Sequence, residues 1–479
     1  MEDLSLFVIN TEQVFLALLL LIFMSSFLFQ DLNDMKDTLS KKKMNLLFVL
    51  FPVMSIGIFA NLFNSWGFEG LFFAIEFSIL IVLAIINPKY AVGFFVYLLL
   101  SRPWETFDDQ LMQSMPRDIS ILTMMSIAAH KIIKKDFFVR FNMGTFFLLA
   151  FSFWLFLSAF FSAHQSTAIS KYVEIFSKGV IVFLLIQNGL RKPADAFVIK
   201  AALIISILEK SFISFYQSAM TPKTGLEEAG ERLKSIGILE NSNDIAAIFV
   251  LVTPLVIFFI LKSKIKPFSW IIALATLIMF SFLVWESQSR GAVLALFGGL
   301  GSYFFLKIKK TKYIAIILLL SMLGGVGVIS LMKRSSSDLK GSTSNRIIFW
   351  QAGANMAIRN PVFGVGFWGF NRNFPNYAIG GDLGTEGKHM TAHSSWVVAL
   401  SESGFLGLFF FMALWAYGLV QAWKVKISNP EYFMTIVGYG IAVSFLSHTY
   451  LLFPYILLSL VITHSKLEQG VKKGEVLSL

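Results

Sequence analysis

Apolar runs long enough to cross a lipid bilayer recur along this whole sequence, and they limit its fold more than any other feature. Of the 479 residues, 56% are hydrophobic and only 14% are charged, whereas soluble domains carry roughly 25% charged residues. A transmembrane helix needs about 20 apolar residues to cross a hydrocarbon core of about 30 Å. The runs are continuous and do not alternate with polar residues, which disfavours a transmembrane β-barrel. The sequence therefore predicts an all-α, polytopic membrane protein with about 12–15 transmembrane helices.

Basic residues cluster in short connections between the apolar runs, on every second connection along the chain. Such clusters are found at Lys41–Lys43, Lys134–Lys135, Lys262–Lys266, Lys307–Lys312 and Lys472–Lys473. Alternation of this kind is typical of loops that stay in the cytoplasm. Because it accounts for the net charge of +11, we predict no nucleic-acid partner. The connections in between are predicted to face outward.

The longest outward connection is Lys333–His393, and it is the one large extracytoplasmic loop that the sequence predicts. We accordingly divide the chain into an N-terminal transmembrane bundle (1–332), a periplasmic loop or lid (333–393) and C-terminal transmembrane helices (394–479), folded as one integrated domain. The chain contains no cysteine, which excludes disulfides and thiolate metal sites.

Within the large loop, the sequence predicts a short helix over Asn345–Ile358, with Ser344 as its N-cap. Arg346 and Trp350 are four residues apart and therefore lie on one face of that helix. We consider both as candidate substrate-binding residues. The alternative is an amphipathic helix on the membrane surface, with Arg346 bound to lipid phosphates.

A turn is predicted directly after this helix. Asn360-Pro361 ends it, because the residue before a proline disfavours the helical conformation. Gly364 and Gly366 then allow a backbone that turns sharply or approaches a ligand closely.

His393 stands where the large loop re-enters the membrane, and it is our candidate catalytic base. An imidazole can accept a proton near neutral pH. His389, four residues earlier, competes with it and is a candidate substrate-binding residue. Glu402 lies within the following apolar run. Placing a carboxylate inside a membrane span costs free energy, which indicates that Glu402 has a partner or a functional role. The alternative for each histidine is a structural one.

Two arginines in distant outward connections are the other candidate catalytic residues. Arg290 ends the short segment that starts at Glu286, and its guanidinium is suited to bidentate capture of a phosphate. A salt bridge to Glu286 is the alternative. Arg232 lies in the earlier loop 221–244, where the alternative is a solvated charge.

The candidate residues fit one reaction when they are taken together. Two arginines near a diphosphate would stabilise the charge on a leaving group, and a histidine would deprotonate or orient an acceptor hydroxyl. No paired aspartate motif of metal-binding spacing stands out on the outer side, so we predict a metal-independent reaction with no cofactor. Elsewhere, Glu174 and Lys178 have the spacing of an ion pair within one span. His164 and His448 are predicted to face outward, with no role assigned.

These motifs, in this order, resemble the O-antigen ligase/polymerase superfamily. The resemblance covers residues 231–408 in motif detail, and its motifs are Arg232…Gly237…Asn243, Ser289-Arg290-Gly291, Arg346…Trp350…Asn360-Pro361…Gly364-Val365-Gly366 and His393-Ser394…Glu402-Ser403-Gly404…Gly407. It implies a GT-C-like, metal-independent glycosyltransferase of the bacterial inner membrane that takes glycan from undecaprenyl diphosphate on the periplasmic face. It also implies that Arg232 and Arg290 contact the diphosphate and that His393 activates the acceptor. The chain departs from the family in having Ser394 where many members have asparagine, and in more predicted spans than the usual twelve.

We expect a ligase of lipopolysaccharide biosynthesis, which would transfer the lipid-linked glycan to a lipid A–core acceptor among the membrane lipids. A polymerase that joins lipid-linked repeat units, and a protein O-oligosaccharyltransferase, are alternatives with the same donor. A transporter for the lipid-linked sugar is an alternative of another class. It predicts inverted repeats, and we find none in the sequence.

Overall fold

A computed structural model describes residues 87–102, 110–220, 241–262, 268–307, 336–379 and 391–473, together with positions 323, 324, 327 and 329. Within these ranges the chain forms helices and their connections, and it contains no β-strand. Residues 1–86, which contain several apolar runs, lie outside the described residues, as does most of the apolar run at 314–331.

Most of the helices lie in apolar runs of the sequence. In chain order they are α1 (Pro88–Ser101), α2 (Gln110–Ile133), α3 (Met143–Phe160), α4 (Gln165–Lys171), α5 (Ser177–Gly189), α6 (Ala196–Met220), α7 (Ser242–Leu261), α8 (Phe268–Glu286), α9 (Arg290–Lys307), α10 (Ser336–Arg359), α11 (Phe370–Tyr377), α12 (Ser395–Lys424), α13 (Pro430–Val443) and α14 (Leu452–Lys472). Helices α4, α10 and α11 instead lie in polar segments. A π-helical turn, Tyr172–Phe176, joins α4 to α5, and a 3₁₀ turn, Pro193–Asp195, precedes α6.

Within the described ranges, three of these helices are long and apolar enough to cross a membrane, namely α3, α7 and α12. Helix α1 and the segment Trp270–Glu286 are apolar but shorter. The chain is thus an all-α membrane protein, as its composition predicts.

One end of the helical bundle is held together by ion pairs of the buried carboxylates Glu431 and Asp195. Lys200 and Lys262 place their Nζ atoms 2.8 and 2.9 Å from the same oxygen of Glu431. Lys89 pairs with Asp195 at 3.5 Å. These contacts join the starts of α1, α6 and α13 to the end of α7, and we call this the basic end.

The opposite end, which we call the His393 end, gathers a second group of helix termini. The Trp396 indole donates to Ser444 Oγ at 2.9 Å, and the Ser395 hydroxyl donates to the Leu446 carbonyl at 2.7 Å. The start of α12 therefore meets the end of α13 here. The start of α7 reaches the connection that follows α13 through a contact of Asp244 with His448, and the start of α9 through a contact of Gly291 with Phe445. This grouping of termini is the one that alternating connections predict, and the assignment of the ends to sides of the membrane stays a prediction.

The predicted start of the lid helix was wrong. Helix α10 begins at Ser336, so Ser344 lies within it and cannot be its N-cap. The segment from Ser335 to Ser344 offers several serines that could each cap a helix, and capping preference alone cannot choose among them. The predicted end was right, since α10 stops at Arg359.

The predicted ion pair between Glu174 and Lys178 is also corrected. Glu174 instead pairs with Lys171, at 2.8 Å. Glu174 lies in the π-helical turn, where each turn holds more residues than in an α-helix, so the i,i+4 spacing no longer brings two side chains to one face.

Candidate functional site

The lid helix α10 packs on α12 through one stripe of its surface and thereby supports the backbone that leads to His393. The Trp350 indole donates to the carbonyl of Ala392 at 3.1 Å. One residue earlier, the Phe349 ring lies with its centroid 5.9 Å from that of His393. Trp350 therefore positions the His393 segment by a direct hydrogen bond.

A second contact fixes the distance between α10 and α12. Gly353, one helical turn after Phe349, faces Val397 so closely that an added Cβ would overlap its side chain. Helix α10 thus places the large side chain of Trp350 beside the His393 segment, and it places Gly353 where its backbone comes closest to that of α12.

The glycine turn after α10 docks on a break inside α12. Gly404 has φ 70° and ψ −171°, which is not helical. The Val365 amide donates to the Ser401 carbonyl at 2.9 Å, and the Phe405 amide donates to the Pro361 carbonyl at 3.0 Å. The two glycine-containing motifs of the sequence therefore bind each other through their backbones.

Glu402 organises the polypeptide between that turn and α11. Its two carboxylate oxygens accept from the backbone amides of Trp368 and Phe370 at 3.0 and 2.9 Å. The hydroxyl of Tyr450 also donates to it, at 2.8 Å. Because Phe370 is the first residue of α11, the carboxylate also lies at the N-terminus of that helix, where negative charge is favourable. This arrangement favours a structural role over the substrate contact that we predicted.

Replacing Glu402 with alanine is expected to lower the thermal stability of the purified protein clearly. Three buried or half-buried donors would lose their acceptor, and each unsatisfied buried donor costs about 1–3 kcal/mol. Glu402→Gln, which keeps one acceptor oxygen, should fall between wild type and Glu402→Ala. The measurement is the apparent melting temperature in detergent.

Glu174→Ala is the matched control, because Glu174 is 56% exposed in its pair with Lys171 and exposed pairs contribute about 0–1 kcal/mol. Equal melting temperatures for Glu402→Ala and Glu174→Ala would contradict the structural role of Glu402.

His393 is half-buried just before α12 and has a positive φ of 47°. This conformation is uncommon for residues other than glycine, and such residues cluster at functional sites. Within the described part of the chain, its ring nitrogens make no hydrogen bond, so they can face a substrate. Burial lowers the pKa of His393, the charge of Arg346 lowers it further, and the Asp244 carboxylate acts in the opposite direction.

Arg346 and the first turn of α9, which carries Arg290, lie beside the same aromatic side chain, Phe445. The Arg346 guanidinium carbon lies 6.0 Å from the Phe445 ring centroid. A Cβ on Gly291, which follows Arg290 in the first turn of α9, would lie 3.2 Å from a Phe445 ring atom. The structure thus brings both arginine-bearing helices to the His393 end.

The salt bridge considered for Arg290 does not form. Among the described residues Arg290 makes no ion pair with Glu286, and its Nε is buried without a hydrogen-bond partner. A buried guanidinium donor without a partner is unfavourable in the protein alone and favourable once an anion binds.

Three polar residues at this end were not among our predicted site residues. The His448 Nε2 lies 3.0 Å from Asp244 Oδ1, and its Nδ1 lies 2.8 Å from the Tyr439 hydroxyl. His448 is 1% exposed. The only sequence signal for them was the outward position predicted for His448 and for the loop that ends at Asp244.

The structure therefore brings together five of the seven predicted site residues. His393, Arg346 and Arg290 are gathered at the His393 end, while Trp350 and Glu402 support the polypeptide around them. Arg232 and His389 lie outside the described residues.

One comparison with known proteins finds a match, over part of the chain. A family model described as O-antigen ligase matches residues 274–412. The matched segment runs from α8 into α12 and includes those same five residues. No curated protein matches the chain.

Proposed function

We propose that the chain is a member of the O-antigen ligase superfamily, whose family model matches residues 274–412, and that it is a ligase that transfers a glycan from undecaprenyl diphosphate to a hydroxyl of a lipid A–core acceptor. The family supports a membrane glycosyltransferase of the ligase or polymerase type. The donor, the acceptor, metal independence and a site on the periplasmic face of the bacterial inner membrane are parts of the proposal.

The observation that carries the proposal is that His393, whose ring nitrogens make no hydrogen bond among the described residues, lies at the same end of the bundle as Arg346 and Arg290. In the proposed reaction, His393 takes the proton of the acceptor hydroxyl. The acceptor oxygen forms a bond to the anomeric carbon while the bond from that carbon to the diphosphate oxygen breaks. Undecaprenyl diphosphate then leaves with the electron pair.

Positive charge near the leaving diphosphate lowers the barrier to this step, because negative charge grows there in the transition state. Arg290 has a buried Nε without a protein partner and is our residue for this role, together with Arg232. The starts of α7, α9 and α12 at the same end add the positive ends of three helix dipoles, which also favour an anion.

The test is a transfer assay with the purified protein in liposomes that contain the lipid diphosphate-linked glycan and lipid A–core. A ligase forms lipid A–core that carries the glycan. Donor that lengthens on its carrier lipid would instead indicate a polymerase, and donor that only crosses the bilayer would indicate a transporter.

In cells, gene deletion should leave a ladder of polysaccharide on the carrier lipid if the protein is a ligase, and single repeat units if it is a polymerase.

Arg290→Lys is expected to reduce the transfer rate by about 10–100-fold. Lysine keeps the charge but loses the planar fork that binds two phosphate oxygens, and a hydrogen bond to a charged group contributes about 1.5–3 kcal/mol. The measurement is kcat and KM for the lipid-linked donor. Arg117→Lys is the control, because Arg117 is 72% exposed beside Asp118. Wild-type turnover in Arg290→Lys would count against phosphate capture by this side chain.

A further inference from the structure

A chain of hydrogen bonds at the His393 end has no part in the reaction described so far. It runs from the Asp244 carboxylate in the first turn of α7, through the buried ring of His448, to the Tyr439 hydroxyl in α13. A carboxylate oxygen only accepts, so the His448 Nε2 carries the hydrogen that it donates to Asp244. In the neutral ring, Nδ1 then accepts from Tyr439.

This series of hydrogen bonds is attached to the first turn of α12, directly beside His393. The backbone amide of His448 donates to Ser395 Oγ at 2.8 Å. Thr449 Oγ1 donates to the Ser395 carbonyl, also at 2.8 Å. Ser395 follows His393 by two residues, so these bonds fix where His448, and with it Asp244, lies relative to His393.

Asp244 keeps part of its carboxylate accessible. Its side chain is 22% exposed, and Oδ1 is the oxygen bonded to His448. Among the described residues no donor reaches Oδ2. A carboxylate that is held on one side and open on the other can act on a neighbouring charge without moving.

We propose that Asp244 stabilises the positive charge that His393 acquires on taking the acceptor's proton, and that His448, supported by Tyr439, is the positioning residue that holds the Asp244 carboxylate in place. This inference rests on the proposed function, since it assigns His393 the role of base. The proton moves from the acceptor oxygen to a ring nitrogen of His393 as the new glycosidic bond forms.

The charged groups that act on His393, within the described ranges, are Arg346 from α10 and Asp244 from α7. Arg346 disfavours the imidazolium, as does burial, while Asp244 favours it. Facing Asp244 are His448, from the connection before α14, and beyond it Tyr439. Removing the Asp244 charge should therefore lower the pKa of His393 and make the protonated base harder to form.

The test compares Asp244→Asn with wild type in the transfer assay across pH. We expect kcat to fall severalfold, because a weaker base takes the acceptor's proton less readily. The acid limb of the rate profile should move to lower pH, since the base must be neutral to act. Asp244→Glu should recover part of the rate. Asp118→Asn, at an exposed aspartate, is the control and should behave as wild type.

The outcomes separate the inference from the proposed function. If wild type transfers no glycan, the proposed function fails. If wild type transfers but Asp244→Asn keeps its rate and pH profile, the inference alone fails. A lower rate with an unmoved acid limb would assign Asp244 a purely structural role and would also overturn it.

A second variant covers the case in which Asp244→Asn does not fold. His448→Gln leaves the carboxylate charge but loosens its support, so we expect a lower kcat with little change in KM. Wild-type kcat in His448→Gln would overturn the positioning role.

Discussion

Replacing His393 with alanine is expected to lower the rate of glycan transfer by about 10²–10⁴-fold, the contribution typical of a positioned general base. The loss should be in kcat, because the imidazole acts on the proton that moves in the transition state. His393→Gln, which keeps a polar side chain but cannot accept and hold a proton near neutral pH, should be nearly as slow. The measurement is the steady-state rate of the purified variants in liposomes.

His164→Ala is the matched control for this prediction. His164 is exposed just before α4 and makes no side-chain capping bond, so the same substitution there should leave transfer unchanged. Full activity of His393→Ala would remove the base from the proposed mechanism.

The pH dependence of wild type follows from the surroundings of His393. Burial, and then the charge of Arg346, hold its pKa below the ordinary value, and the base must be neutral to accept a proton. The acid limb of the rate profile should therefore lie below the pH at which an exposed histidine titrates. In Arg346→Gln the acid limb should move to higher pH, because the positive charge that lowers the pKa of His393 is gone.

The second large effect is expected at Gly404. Its φ and ψ of 70° and −171° are essentially reserved for glycine, and a side chain there costs on the order of 1–3 kcal/mol. A Cβ would also overlap the carbonyl oxygens of Pro361 and Val362. Gly404→Ala should therefore separate the glycine turn from α12, with a much lower melting temperature and little or no transfer activity.

Gly440→Ala distinguishes this effect from a general intolerance of larger residues. Gly440 lies within α13, and an added Cβ would meet only a ring atom of Trp415 at an ordinary 3.6 Å. Because alanine favours a helix over glycine by about 1 kcal/mol, this variant should be as stable as wild type or more so. Equal stability of both variants would contradict the proposed backbone docking.

Within the described residues, the sequence predicted the apolar helices because a run of apolar residues is visible without knowledge of what it packs against. It did not predict where the polar lid helix α10 begins. It also showed that Glu402 is a charged residue inside an apolar run and that His393 stands where the large loop meets the next run. It could not supply the partners of Glu402, because backbone amides occur at every residue and carry no sequence signal. The bond between Asp244 and His448 joins residues 204 positions apart, and only the packing of α7 against α13 brings them together.

The break at Gly404 also changes where the membrane boundary lies along α12. The whole helix has 30 residues, which would extend about 45 Å at 1.5 Å per residue, well beyond a hydrocarbon core of about 30 Å. The segment from Phe405 to Lys424 alone accounts for about 30 Å. By this measure we expect the first turns of α12 to lie outside the hydrocarbon core together with the lid. Glu402 would then lie at the headgroup level, and His393 further out, beyond the headgroups.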